Sequence, residues 1–248
     1  MPADLEAAYA VLFDGLSLLG PGSATTRRHV LDLVRTGLPA APVVCDMGAG
    51  AGAASRFLAE ALPAGRVLAL DRAVVFLRAI DRAASGRVKA VVADMAAVPL
   101  PAGRIDLLWC ESAIYTIGRG TALALWRELL RPGGCIVFSD VAWLVPAAER
   151  PAEALAFWSK AYPDMQDAVA IRAEIEAAGY RLDARHRAPG TDWTAYYAPL
   201  RRRLAELAPG ASPPLAGVLE EMRREIALFD AHGSSYGALF FVVRPAGA

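Results

Sequence analysis

Val43-Val44-Cys45-Asp46-Met47-Gly48-Ala49-Gly50-Ala51-Gly52 joins a short apolar run to a loop almost without side chains. The run reads as a buried strand bounded by Pro42 and closed by Asp46. Gly48, Gly50 and Gly52 let the backbone turn with positive φ and let a ligand approach the main chain. Ala53 to Leu62 follows with good helix formers, so free N–H groups at a helix start lie beside the loop. Strand, glycine loop and helix in this order form a nucleotide-binding arrangement.

The glycine spacing alone leaves two readings open, because Gly48-x-Gly50-x-x-Ala53 also satisfies the dinucleotide fingerprint of nicotinamide and flavin proteins. Three features tip the balance: Asp46, the continuation of the glycines as Gly48-x-Gly50-x-Gly52, and a motif downstream. Asp46 stands two residues before the first glycine, where a carboxylate would repel a pyrophosphate and attract an ammonium or sulfonium. Downstream, Leu130-Arg131-Pro132-Gly133-Gly134 precedes the apolar run Cys135-Ile136-Val137-Phe138. Together these motifs resemble the class I S-adenosylmethionine-dependent methyltransferases. The resemblance implies an α/β, Rossmann-like fold: a seven-stranded, mostly parallel sheet with an antiparallel last strand, helices on both faces and a helical cap.

It also implies a cofactor site for S-adenosyl-L-methionine. Arg66 to Asp71 reads as the second strand, and its terminal carboxylate is placed to accept both ribose hydroxyls. Arg87 to Val92 is the third strand; the family places adenine recognition just beyond it, on Asp94 and Met95. Arg104 to Glu111 is the fourth strand, whose end faces the transferable methyl in this fold. The expected cofactor set is Asp46, Gly48, Ala49, Gly50, Gly52, Asp71, Arg72, Asp94, Met95 and Glu111. Residues 109–118 further resemble a subgroup of small-molecule methyltransferases of bacterial origin, whose strand end reads roughly Ser-Glu-Gly-Ala-Ile-Tyr-Asn-Ile-Gly. Glu111, Ala113, Ile114, Tyr115, Ile117 and Gly118 keep that pattern, whereas Cys110 and Ser112 depart from it.

Length and composition bound the rest. The 248 residues suit one domain, and 55% apolar content supplies a sizeable core. Lys+Arg and Asp+Glu number 26 each, so the balanced charge and the lack of a basic stripe argue against a nucleic-acid partner. No apolar stretch reaches the length of a membrane span, and the acidic start lacks a signal peptide's basic, apolar pattern. Cys45, Cys110 and Cys135 sit in or at the ends of expected strands and read as small buried residues in a reducing cytoplasm. No metal-ligand spacing stands out.

The expected organisation is a single domain: an N-terminal helical cap over residues 1–40, core sheet over 41–189, helical insertion over 190–235 and last strand over 236–248. Helical spacing covers residues 3–19 and then a helix capped by Ser23. The fifth strand runs from Gly134 to Asp140, helices cover 151–161 and 167–178, and period-two alternation marks a sixth strand from Tyr180. Within the insertion, helices are expected at about 199–208 and 214–231, with Glu220, Glu221, Arg223, Arg224 and Glu225 on a solvated face. The aromatics Tyr115, Trp143, Tyr162, Trp193, Tyr196 and Tyr197 suggest a closable pocket for a small-molecule methyl acceptor.

Methyl transfer from a sulfonium is an in-line displacement, and a hydroxyl or protonated amine acceptor must also lose a proton. Glu111, Tyr115 and His186 are the candidate catalytic groups, while His29 and His232 fall in helices away from the strand ends. The expected activity is therefore transfer of a methyl group to an oxygen or nitrogen of a small molecule. A nicotinamide-dependent oxidoreductase, a non-catalytic cofactor-binding scaffold and a non-methylating use of the same cofactor stay open alternatives, as does oligomerisation.

Overall fold

The computed structural model describes residues 2–83 and 86–247. Seven strands form one sheet: β1 (Val43–Met47), β2 (Arg66–Asp71), β3 (Val88–Val92), β4 (Ile105–Cys110), β5 (Leu130–Trp143), β6 (Tyr180–Arg187) and β7 (Tyr236–Pro245). Their spatial order is β3-β2-β1-β4-β5-β7-β6. The first five are parallel, and β7 runs antiparallel to both neighbours, β5 and β6. The reversed last strand of the sequence reading is present. The order reverses between β1 and β4, the switch point beyond which ligands bind in open α/β sheets.

Period-two alternation divides the core in two. Leu107 and Trp109 of β4, Val137 of β5 and Phe240 of β7 face one layer. Leu108, Cys110, Phe138 and Phe241 face the other. The first layer is covered by α1 (Ala3–Phe13), α2 (Ala24–Arg35), α3 (Ala53–Ala61), α4 (Val74–Ala83), α6 (Ala152–Ala161), α8 (Gly190–Leu207) and α9 (Pro213–His232). The second is covered by α5 (Arg119–Trp126) and α7 (Ala168–Ala177). Every residue of β4 is buried, as a central parallel strand with both faces covered requires. The three cysteines are buried and unpaired.

Three boundaries differ from the sequence reading. Helix α1 stops at Phe13 rather than Leu19, because Gly15 adopts φ +74° and a right-handed helix cannot continue through it. Strand β5 begins at Leu130, opposite Ile105, with an irregularity before Leu107 pairs with Cys135, and it extends to Trp143 through pairing with β7. Helix α8 starts at Gly190 and passes through Pro199. Trp193, Tyr196, Tyr197 and Leu200 recur at helical spacing and are all buried, and this packing holds the helix together across the proline. Among the described residues no helix is long and apolar enough to cross a membrane.

Candidate active site

The register brings the ends of β1 to β4 level, because Asp46 lies opposite both Ala69 and Trp109, and Asp71 opposite Val92. Beyond these ends opens a cleft of about 400 Å³. Its floor is the loop from Gly48 to Ala51, and Asp71, Asp94 and Glu111 enter from successive strand ends. Ser17, Leu18, Leu19 and Gly20, the irregular chain that follows α1, form its roof.

The loop is built for close approach. Gly48 holds φ +69°, and a Cβ there would stand 2.5 Å from the Ala113 Cβ. The Ala49 N–H donates to the Leu70 carbonyl (2.9 Å) and the Gly50 N–H to Asp71 Oδ2 (2.8 Å), which pins the loop to β2. Asp71 Oδ1 accepts from the Ala73 N–H (2.8 Å). A carboxylate offers about four acceptor positions, so two remain for ligand hydroxyls. Beyond β3, Asp94 Oδ1 accepts from the Ala96 N–H (2.8 Å), and Trp126 Nε1 donates to the Met95 carbonyl (2.8 Å), fixing that turn. Arg72 lines the same cleft and is exposed.

Asp46 is buried and accepts a 2.5 Å hydrogen bond from the Ser55 hydroxyl of α3. Burial pushes its carboxyl up to about 7. The Ser55 bond opposes that shift, the Glu111 charge adds to it, and Arg27 opposes it again. Glu111 receives two hydrogen bonds from Arg27 of α2, from Nε (2.8 Å) and Nη2 (2.7 Å), and a weaker one from Trp109 Nε1 (3.3 Å). Arg27 is buried and Glu111 partly so, and Gly22 passes so close that a Cβ there would lie 2.0 Å from Glu111 Oε1. The cleft wall therefore sets two acids, buried Asp46 and part-buried Glu111, against one buried guanidinium, a balance that suits a cationic ligand.

The expected cofactor set thus converges on one cleft, apart from Gly52, which sits just behind it as the N-cap of α3. The catalytic candidates divide. Glu111 lines the cleft, but the arginine fork holds its carboxylate as an ion-pair partner. Tyr115 lines the cleft and is 49% exposed. Desolvation, then the charges of Glu225 and Asp140, hold its phenol above the ordinary tyrosine value, so it stays a hydrogen-bond donor at neutral pH. His186 does not line the cleft. It sits on β6 opposite Phe240, its ring 4.2 Å from that of His29. Burial and the His29 charge lower its pKa.

The aromatic wall is also redistributed. Trp143 and Trp193 are core residues, packed edge-on against Tyr236. Tyr162 belongs to a second, more polar cavity of about 350 Å³ that meets the first at Tyr115. There Arg119 of α5 donates to Asp140 (2.6 Å) and Glu174 (2.9 Å), and Tyr162 donates to Asp140 (2.7 Å). Sequence reasoning missed Arg27, and it expected the N-terminal cap over residues 1–40 to cover the sheet with helices, whereas the irregular segment Ser17 to Gly20 is what lines the cleft. Arg27 falls on the same helical stripe as Val30, Leu31 and Val34, and a charge on a buried stripe requires a partner.

Residues 44–134, from the first strand to the glycines of the Leu130–Gly134 turn, match the family described as a methyltransferase domain. This segment is a methyltransferase domain. Outside it lie α1, α2 and everything after Gly134. The chain is 33% identical over 127 residues to dimethylglycine N-methyltransferase of Parasynechococcus marenigrum, an alignment covering 49% of this chain and 45% of that protein. It is 34% identical over 100 residues to malonyl-[acyl-carrier protein] O-methyltransferase of Pseudescherichia vulneris, covering 40% and 39%. The chain spans less than half the length of these curated relatives. An S-adenosylmethionine-dependent methyltransferase from Thiobacillus denitrificans, solved with S-adenosyl-L-homocysteine, superposes with a TM-score of 0.81 over 99% of both chains at 19% identity, a likeness of fold. The methyltransferase domain and the reversed β7 leave the oxidoreductase alternative disfavoured.

Proposed function

We propose that the protein is an S-adenosylmethionine-dependent methyltransferase that methylates an oxygen or nitrogen of a small molecule. One observation carries this reading: three acids from consecutive strand ends, Asp46, Asp71 and Asp94, meet a glycine loop in a single cleft. The fit to an adenosyl sulfonium is chemical as well as spatial. Asp71 has acceptor positions for ribose hydroxyls, Asp94 for an exocyclic amine, and buried Asp46 beside Glu111 favours a positive charge. The cradle above Gly48 would be filled by any side chain.

When bound, the cofactor supplies a methyl group already activated by its sulfonium charge. The protein's own task is positioning. Asp46 would hold the cofactor's ammonium, Asp71 its ribose, and Asp94 with Met95 its adenine. Arg27 holds Glu111 fixed through two hydrogen bonds, so Glu111 contributes a positioned ion-pair partner rather than a free base. Tyr115, protonated and at the rim, would orient the acceptor. The buried, unpaired cysteines fit a reducing cytoplasm.

Isothermal titration tests the reading. S-adenosylhomocysteine is expected to bind, and Asp71→Asn and Asp94→Asn are each expected to weaken it about tenfold or more, the loss of charge-assisted hydrogen bonds. Heat with NAD and none with S-adenosylhomocysteine would reverse the conclusion.

A further inference from the structure

The second cavity, of about 350 Å³, has one buried cation in its wall, and that cation is already engaged. Arg119, the first residue of α5, donates through Nη1 to Asp140 (2.6 Å) and to the Tyr162 hydroxyl. Its Nε donates to Glu174 (2.9 Å) and its Nη2 to the Asp164 carbonyl (3.2 Å). The other oxygen of Glu174 accepts from the Gly120 N–H (3.1 Å) at the start of α5. Every nitrogen of the guanidinium is therefore in use, and the helix start already faces a carboxylate. Such a wall is poorly suited to an anion.

The groups that the wall leaves available are of the opposite kind. Asp164 gives its carbonyl to Arg119, while its exposed carboxylate forms no ion pair among the described residues. Gln166 also lines the cavity, and its Oε1 is shielded from water without a hydrogen-bond partner. Shielded acceptors are ordinarily satisfied, so this one lacks a donor that the protein does not supply. Together with the network behind the wall, three carboxylates, Asp140, Asp164 and Glu174, stand against one guanidinium. Surplus negative charge and unfilled acceptors call for a cation that donates hydrogen bonds. The cavity also has a direct link to the cofactor cleft. Tyr115 lines both, its ring 5.5 Å from that of Tyr162, and residues 115–117 of the cleft run straight into residues 118–121 of the second cavity.

We infer that the second cavity is the acceptor subsite, and that it anchors the ammonium end of an acceptor carrying an amine, on Asp164, Glu174 and Gln166. The inference rests on the cofactor reading above for the cavity's place in the reaction, but not for its preference for a cation. The anchored ammonium is not the atom methylated, because a protonated nitrogen has no lone pair to offer. The reacting oxygen or nitrogen lies at the other end of the acceptor, past Tyr115.

Ethanolamine and its uncharged counterpart ethylene glycol provide the probes, titrated into the protein at neutral pH with and without saturating S-adenosylhomocysteine and followed by amide NMR. Ethanolamine is expected to shift the backbone signals of Gly118, Gly120 and Thr121 and the side-chain amide of Gln166, and to bind about tenfold or more tightly than ethylene glycol. Asp164→Asn, at an exposed position outside the cofactor cleft, is expected to fold, to keep its S-adenosylhomocysteine affinity and to weaken ethanolamine about threefold to fivefold. No shift at these amides, equal affinity for the two probes, or undiminished ethanolamine binding in Asp164→Asn would overturn the inference. Mutual exclusion of ethanolamine and S-adenosylhomocysteine would overturn the acceptor role, since donor and acceptor must be bound together. Ethanolamine binding here without any S-adenosylhomocysteine binding would uphold the cation site and overturn only the cofactor reading.

Discussion

Asp46 shows how one side chain can serve binding at the expense of stability. In an unfolded chain its pKa is about 3.9, whereas in the fold burial raises it to about 7. The folded state therefore holds its proton more tightly than the unfolded state. The stability this group contributes is full below about pH 4, declines as pH rises, and is gone above about 7. Asp46→Asn, neutral at every pH, is expected to raise the melting temperature of the ligand-free protein at pH 8. A cationic ligand makes the opposite demand, because it needs the ionised form. S-adenosylhomocysteine affinity is thus expected to fall by up to about tenfold per pH unit below 7 and to level off above it. In Asp46→Asn it should be weak and independent of pH. Calorimetry between pH 5.5 and 7.5 measures both curves; a flat wild-type profile would remove Asp46 from the ammonium site.

At the level of elements, the pair Arg27–Glu111 ties α2 to the end of β4. Removing one partner leaves the other buried and uncompensated, which typically costs about 3–5 kcal/mol. Arg27→Met should therefore destabilise the protein strongly in urea denaturation, and the double change Arg27→Met with Glu111→Gln should recover much of the loss. A loss below about 1 kcal/mol in the single variant would mean that water solvates Glu111. This pair was half legible in the sequence. Glu111 was placed at its strand end by the parallel-sheet pattern, but a cation 84 positions away has no local signature beyond sitting on an apolar stripe. The strands were read well because buried parallel strands announce themselves as short apolar runs. Helix α8 was not, since Pro199 and the aromatic run before it look like a loop and helix start until the core they pack into is known.

The whole molecule assembles its cleft from distant parts. The floor and the three acids lie within one continuous stretch, the methyltransferase domain, and so were legible from motif spacing. The roof was not: Ser17 to Gly20 reads as the end of a helix, and only the break at Gly15 turns it across the strand ends. The segment from Asp14 to Gly22 lies outside regular secondary structure, and α1 before it rests on α8 and α9. Such a strap opens at little free-energy cost unless something beneath it holds it down. A ligand touching both floor and roof must couple the two, stabilising the closed arrangement by its binding energy. Hydrogen exchange in amides of residues 14–22 is therefore expected to slow about tenfold or more when S-adenosylhomocysteine saturates the protein. Exchange in the central strand β4, already limited by global unfolding, should change only with overall stability. Protection confined to the glycine loop, with residues 14–22 unchanged, would show that the cofactor occupies the floor alone and that the roof belongs to the acceptor.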